Sequence, residues 1–127
     1  MNKIILVGSG GFIGATLRYL ISGWVQNLTQ SVAFPHGTLA VNITGCFLMG
    51  IFSHLFESHA VLTSEIRLLL MVWLLGSFTT YSTFGNETIN LLQDQRFFLA
   101  LMNIGTHLIL GLSAVLLGRF TIITILR

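Results

Sequence analysis

The stretch Leu74–Thr88, LLGSFTTYSTFGNET, starts as a membrane helix does and then carries a run of Ser and Thr residues, two glycines and a glutamate. Hydrocarbon offers such groups no hydrogen-bond partner, so they must be satisfied by protein, water or an ion. The apolar lead-in Leu68–Gly76 would extend only ~13 Å as a helix, at 1.5 Å per residue. It then meets Gly76-Ser77-Phe78-Thr79-Thr80, where glycine and hydroxyl or β-branched side chains weaken helix propensity. Two readings follow. Either the helix breaks at mid-membrane and exposes charged half-helix ends, carbonyls suited to a cation and amides to an anion, or it continues with its hydroxyls bonded back to its own carbonyls.

The surrounding chain makes this a membrane question. Of 127 residues, 54% are apolar and 8% charged, against about 25% charged in ordinary soluble domains. A soluble chain of this length cannot hide that much apolar surface. The sequence therefore reads as one all-α domain, residues 1–127, with four transmembrane helices at roughly Ile4–Val25, Gly37–Phe56, Leu68–Leu92 and Phe97–Leu126. Each suffices for the ~20 residues that cross the hydrocarbon. The linkers are QNLTQSVAFPH, ESHAVLTSEIR and the tight turn QDQR, and four spans put both termini on one side. Lys3 with the first apolar run resembles a signal peptide, but Arg18 interrupts that run and three more spans follow, so it is expected to be a retained helix.

Other classes are disfavoured. The net charge of +2 comes from basic residues scattered singly, which is not a nucleic-acid footprint. Cys46 is the single cysteine, which excludes an intrachain disulfide. Gly8, Gly11 and Gly14 imitate a dinucleotide fingerprint, yet no acidic residue precedes Glu57 and no βαβ alternation follows. The glycines fit better as packing: Gly10, Gly14 and Arg18 recur at i, i+4, i+8, the small-xxx-small face of a membrane helix.

Charge around the spans gives a weak orientation. Lys3, Arg67 and Arg127 flank the side of the termini and Arg96 the other; the embedded Arg119 and Arg18 add one to each. A strongly oriented protein carries a larger excess on its cytoplasmic side, so the small bias suits a chain inserting both ways up, as an antiparallel dimer requires.

Polar groups recur within the spans. Helix 2 aligns Thr38, Asn42, Gly45, Cys46, Met49 and Gly50, and helix 4 aligns Asn103, Thr106, His107 and Gly111. Interhelical hydrogen bonding is the plain explanation for any one of them. Together with the third-span cluster they suggest a polar path. Its groups are mainly donors: Asn42, Asn103, Arg18 and the hydroxyls of Thr79, Thr80, Ser82 and Thr83, with Glu87 as the embedded carboxylate. Donors favour an anion over a cation, and the electropositive ring edges of Phe78, Tyr81 and Phe84 suit a small one.

GGFIGATLRY, PHGTLAVNITG, GSFTTYSTFGNET and ALMN, in that order and spacing, resemble the Fluc/CrcB family of fluoride channels over nearly the whole chain. The resemblance implies a passive fluoride-exporting channel of the cell membrane, not an enzyme. It implies an antiparallel dual-topology dimer with two pores and a broken third helix. A structural sodium ion would be held at the dimer centre by backbone carbonyls corresponding to Gly76 and Thr79. It assigns Tyr81 and Phe84 as the pore aromatics, Asn42 as the pore asparagine, Arg18 as the helix 1 arginine and Glu87 as the acid. Asn103 and His107 form the helix 4 polar track, and Thr80, Ser82 and Thr83 complete the fluoride-binding set. Partners would be fluoride, lipid and a second copy, or a related chain as a heterodimer. Three positions depart from the pattern: Tyr81 for the usual first phenylalanine, Gly76-Ser77 for a double glycine, and Gly111 in the third place of the helix 4 track. The competing function is a small four-helix proton-coupled multidrug transporter, which needs a central carboxylate in a roomy aromatic pocket; Glu87 is the candidate.

Overall fold

A computed structural model describes residues 2–58 and 63–126. Arg127 of the charge count and residues 59–62 of the second linker lie outside the described residues. Helix α1 (Asn2–Thr29) is followed by α2 (His36–Ser58). The third span runs through α3 (Ser64–Arg67), a π-helical stretch (Leu68–Leu74), α4 (Leu75–Phe78) and α5 (Tyr81–Gln93), and α6 (Phe97–Ile125) completes the chain. Four helical stretches, Lys3–Thr29, His36–Glu57, Ser64–Gln93 and Phe97–Ile125, are long and apolar enough to cross a membrane, as the hydrophobic runs predict. The helices outlast the apolar runs at several ends. Helix α1 continues through Gln26–Thr29, and the third span begins at Ser64, where the Thr63 hydroxyl accepts from the Ile66 amide.

The ends are tied by side chains. Gln26 reaches from the last turn of α1 into the linker: its Nε2 donates to the carbonyls of Ser31 and Phe34, and its Oε1 accepts from the Gly37 amide at 3.0 Å. That side chain, predicted to lie in a loop, holds α1 and α2 at a fixed entry angle. The QDQR turn is as tight as expected. Gln95 takes φ 59°, and the amides of Asp94, Gln95 and Arg96 close back onto Asn90, Leu92 and Leu91.

Helices pack closely where glycine replaces a side chain. At Gly50 an added Cβ would collide with the Val115 carbonyl, and at Gly118 with the Phe47 carbonyl, so α2 and α6 touch backbone to backbone. Gly14 does the same for α1 against the third span, at the Leu74 carbonyl, and a Cβ at Gly10 would crowd the side chains of Leu69 and Trp73. The small-residue face on α1 is thus a packing face, although Gly8 meets nothing within 4 Å. We expect Gly50→Leu to force α2 from α6, an overpacking penalty of about 1–3 kcal/mol or more. The variant should melt at clearly lower temperature in detergent than Ala substitution at the exposed Leu112.

The core is small: Val41, Leu75 and Phe78 are buried together, with Ile21, Leu48, Met49, Phe52 and Leu74 packed around them. The accessible surface is 8243 Å², against about 6,700 Å² for a compact soluble chain of this size. Much of it is Leu, Ile and Phe on the outer faces of α1 and α6, as suits helices whose solvent is lipid.

Candidate functional site

The site begins where the third span leaves helical geometry. Helix α4 ends at Phe78; Thr79 (φ −87°, ψ 162°) and Thr80 (φ −151°, ψ 113°) are extended, and α5 starts at Tyr81. Gly76 lies within α4, and no glycine among the described residues has positive φ. The threonine pair, not the glycine, carries the change of conformation. Thr79 closes α4 through its amide and its hydroxyl, both donated to the Leu75 carbonyl at 3.0 and 3.1 Å. Thr80 opens α5 as its N-cap, accepting from the Thr83 amide at 3.2 Å and donating to the Thr83 hydroxyl at 2.9 Å. This is the hydroxyl capping that Ser and Thr favour over helix interiors.

Asn42 holds the two extended residues in place from α2. Its Oδ1 accepts from the Thr80 amide at 2.8 Å and its Nδ2 donates to the Thr80 carbonyl at 3.0 Å, as a neighbouring β-strand would. One amide hydrogen of Asn42 stays uncommitted. Gly45, one turn on, makes room for Thr79, whose Cγ2 occupies the space a Cβ would need. In a continuous helix the amides of Thr80 and Thr83 would bond the carbonyls of Gly76 and Thr79; here they are bound to Asn42 and to the Thr80 hydroxyl. The Gly76 and Thr79 carbonyls are released from those helical bonds.

Beside the break lies a groove of about 480 Å³ lined by Asn42, Cys46, Thr80, Tyr81, Phe84 and His107, among others. Tyr81 and Phe84 have ring centroids 5.6 Å apart at 50°, and Phe84 and His107 4.4 Å apart at 42°. Tyr81 is 83% exposed, the most open member of the set. The first amides of α5, aimed at this end of the helix, give it a partial positive charge.

Asn103 stands behind the groove rather than in its wall. It is fully buried, donates Nδ2 to the Thr88 hydroxyl at 3.0 Å, and its backbone carbonyl meets His107 Nδ1 at 2.9 Å. Thr88 in turn donates to the Phe84 carbonyl at 2.8 Å. Asn103 thus positions both Phe84 and His107. Asn103 Oδ1 and His107 Nε2 are buried and have no hydrogen-bond partner.

Other expected site residues lie elsewhere. Glu87 accepts from the Thr38 hydroxyl at 2.6 Å, with its second oxygen buried and unpartnered. The pair lines a second hollow of about 420 Å³, with Gln26, Asn90, Asp94 and Arg96. Glu87 therefore does not share the aromatic groove. Ser82 and Thr83 are exposed on the first turn of α5. Arg18 is half-buried and lines neither hollow. Thr106 bonds back to the Met102 carbonyl at 2.7 Å. Three residues were not singled out as site residues: Thr38, Thr88 and Gln26. A threonine four residues after Phe84 on an inward face is the available signal for Thr88, and alignment with Asn42 on the polar face of helix 2 is the signal for Thr38; nothing local marks Gln26.

Two comparisons bear on this geometry. The family model described as CrcB-like protein, Camphor Resistance (CrcB), matches residues 5–119. The protein called Fluoride-specific ion channel FluC 1 in Methanosarcina acetivorans is 46% identical over 121 residues, 95% of this chain and 91% of its own. Fluoride-specific ion channel FluC of Shewanella woodyi is 48% identical over 119 residues, 94% of each chain. Fluoride-specific ion channel FluC 3 of Methanosarcina barkeri is 43% identical over 119 residues, 94% of this chain and 89% of its own.

Proposed function

Since the chain belongs to the CrcB family, we propose that it is a passive, fluoride-selective channel, a multi-pass protein of the cell membrane and not an enzyme. The observation that carries this reading is the opened third span: a helix start capped by Thr80, braced by Asn42 and facing a groove with two aromatic rings.

Fluoride entering a narrow membrane passage sheds water, which is prohibitive unless other donors replace it. The chain offers the free amide hydrogen of Asn42, the hydroxyls of Ser82 and Thr83, the first amides of α5 and the ring edges of Tyr81 and Phe84, while the Thr80 hydroxyl, donated to Thr83, holds the helix start in place. Several weak sites in series permit both entry and exit. Chloride is larger and does not fit donors spaced for a smaller ion. Arg18 raises the anion concentration near one mouth, His107, set from behind by Asn103, continues the polar track, and Glu87 with Thr38 borders its other end.

The working unit in this reading is an antiparallel, dual-topology homodimer with two pores. Two features support it: the small charge bias across the spans, and the outward exposure of Tyr81, which leaves the ring free to complete an aromatic set with a second copy. A structural sodium ion fits the donors at the break. The Gly76 and Thr79 carbonyls are hard, neutral oxygen donors freed from helical pairing, and nothing lies within 4 Å of where a Gly76 Cβ would sit. The Gly76 and Thr79 carbonyls would hold such a cation, which would supply positive charge at the break.

The test is efflux from liposomes holding the purified protein, loaded with either potassium fluoride or potassium chloride. Rapid fluoride release with chloride release at the protein-free level is expected. Absence of fluoride release, or equal release of both ions, contradicts the proposal.

A further inference from the structure

We infer that Thr88 sets the anion selectivity of the groove without lining it: its hydroxyl locks the rotation of α5 against α6 and so fixes where the rings of Tyr81 and Phe84 stand. The inference rests on the channel reading above and deepens it, by naming a specificity-determining residue outside the anion path.

Tyr81, Phe84, Thr88 and Leu91 fall at i, i+3, i+7 and i+10 and share one face of α5. Along that face Tyr81 is open and Phe84 half-buried, while Thr88 and Leu91 are the buried residues of the helix. The helix starts at Tyr81, directly after the extended Thr79 and Thr80, so no earlier helical turn carries the rings. The Thr80 cap fixes the position of that start. Rotation about the axis is fixed further along, where two side-chain bonds tie α5 to its neighbours. Glu87 reaches Thr38 of α2 at 2.6 Å, and Thr88 meets Asn103 of α6 at 3.0 Å.

The two ties differ in stiffness. Glu87 reaches its partner through a flexible stem, whereas the Thr88 oxygen sits on a β-branched carbon with few rotamers. It is also bonded to the carbonyl of its own helix at Phe84, 2.8 Å away. A hold on that oxygen is therefore a hold on the α5 backbone. The polarity is fixed as well. Thr88 gives its one hydrogen to a carbonyl, which only accepts, so towards Asn103 it only accepts and the amide must present Nδ2. Asn103 is fully buried, so loss of the hydroxyl leaves an amide without a partner. The antiparallel register then carries the lock to the groove: Thr88 lies opposite Asn103, and one turn along each helix Phe84 lies opposite His107.

Side-chain tips stand about 5–6 Å from a helix axis, so a turn of ~20° carries the Phe84 edge roughly 2 Å. A binding constellation has to be held within about 0.5 Å and 10–20° to keep its geometry. Chloride is excluded by a smaller margin of radius than such a turn supplies. A loosened α5 thus admits the larger ion while the smaller one still passes, and selectivity fails before conduction does.

The experiment compares fluoride and chloride release from liposomes loaded with both potassium salts, for wild type, Thr88→Ser, Thr88→Val, and Thr88→Val combined with Asn103→Leu. Thr88→Ser keeps the hydroxyl and should leave chloride release at the protein-free level. Thr88→Val keeps the shape without the hydroxyl, and chloride release should rise at least tenfold above that level while fluoride is still released. The double variant removes both polar partners together, which is nearly neutral for a fold, and should release chloride equally. Loss of stability alone lowers the release of both ions and does not admit chloride. Chloride release at the protein-free level from either assembled Val variant overturns the inference, as does chloride release from Thr88→Ser equal to that from Thr88→Val. If neither Val variant assembles, the bond is a requirement of the fold and the selectivity role is overturned too. A wild type that releases no fluoride removes the channel reading and this inference with it; a selective wild type with unmoved variants removes this inference alone.

Discussion

Asn42→Ala is expected to abolish fluoride conduction, by two orders of magnitude or more, and to destabilise the fold. The side chain satisfies both backbone groups of Thr80, at a point where the third span has given up its own helical bonding. Truncation leaves an amide and a carbonyl without partners at membrane depth, each worth about 1–3 kcal/mol. Thr79 and Thr80 then have no reason to stay extended. The simplest relief is for Thr80 to rejoin the helix, pairing its amide with the Gly76 carbonyl. That closes the helix start facing the groove and withdraws a carbonyl from the proposed sodium site. Asn42→Asp, which keeps an acceptor for the Thr80 amide but loses the donor for its carbonyl, should recover part of the fold and little of the flux. Flux assays on both variants, with thermal melts in the same detergent, check the order. Wild-type flux in Asn42→Ala would mean that the break is held without it.

Phe84→Ala is the second large effect: flux should drop about a hundredfold or more while the protein remains folded. Phe84 is half-buried, in ring contact with Tyr81 on one side and His107 on the other. Its removal takes away an anion-facing edge and the surface against which both neighbours are set. The penalty to the fold should be smaller than for a core phenylalanine such as Phe78, which is 4% exposed, because Phe84 borders an open groove. Phe84→Tyr should conduct far better than Phe84→Ala, since it keeps the ring. Flux from liposomes, beside size-exclusion profiles to show intact assembly, separates loss of the path from loss of the protein.

How far the sequence reveals these arrangements depends on the range of the interaction. The four spans are legible because hydrophobic runs of membrane length have one stable solution. Their ends are less so: Gln26 looks like a linker residue, and only the fold shows it bonded to Ser31, Phe34 and Gly37. Composition points to trouble near Gly76–Thr80 but does not separate glycine from the hydroxyl and β-branched residues as its cause. The change of conformation sits three residues after Gly76, on threonines whose hydroxyls cap the ends of both half-helices. Asn42 and Thr80 are each marked as polar and embedded, but that they pair across 38 positions follows only from the fold. The π-helical stretch Leu68–Leu74 has no signature in LLLMVWL, since uniformly apolar residues tolerate either helical winding. Glu87 and Asn103 are recognisable as expensive residues for a membrane. That Glu87 belongs to a second hollow and Asn103 to the support of His107 follows only from how α2, α5 and α6 meet.

The most direct measurement is the reversal potential of the reconstituted channel with fluoride and chloride gradients set in opposite directions and pH equal on both sides. A passive fluoride-selective path should reverse at the fluoride equilibrium potential, about 59 mV for a tenfold gradient of a monovalent ion, and should stay there when a proton gradient is imposed. Reversal near the chloride potential, or a shift that follows the proton gradient, would contradict the account.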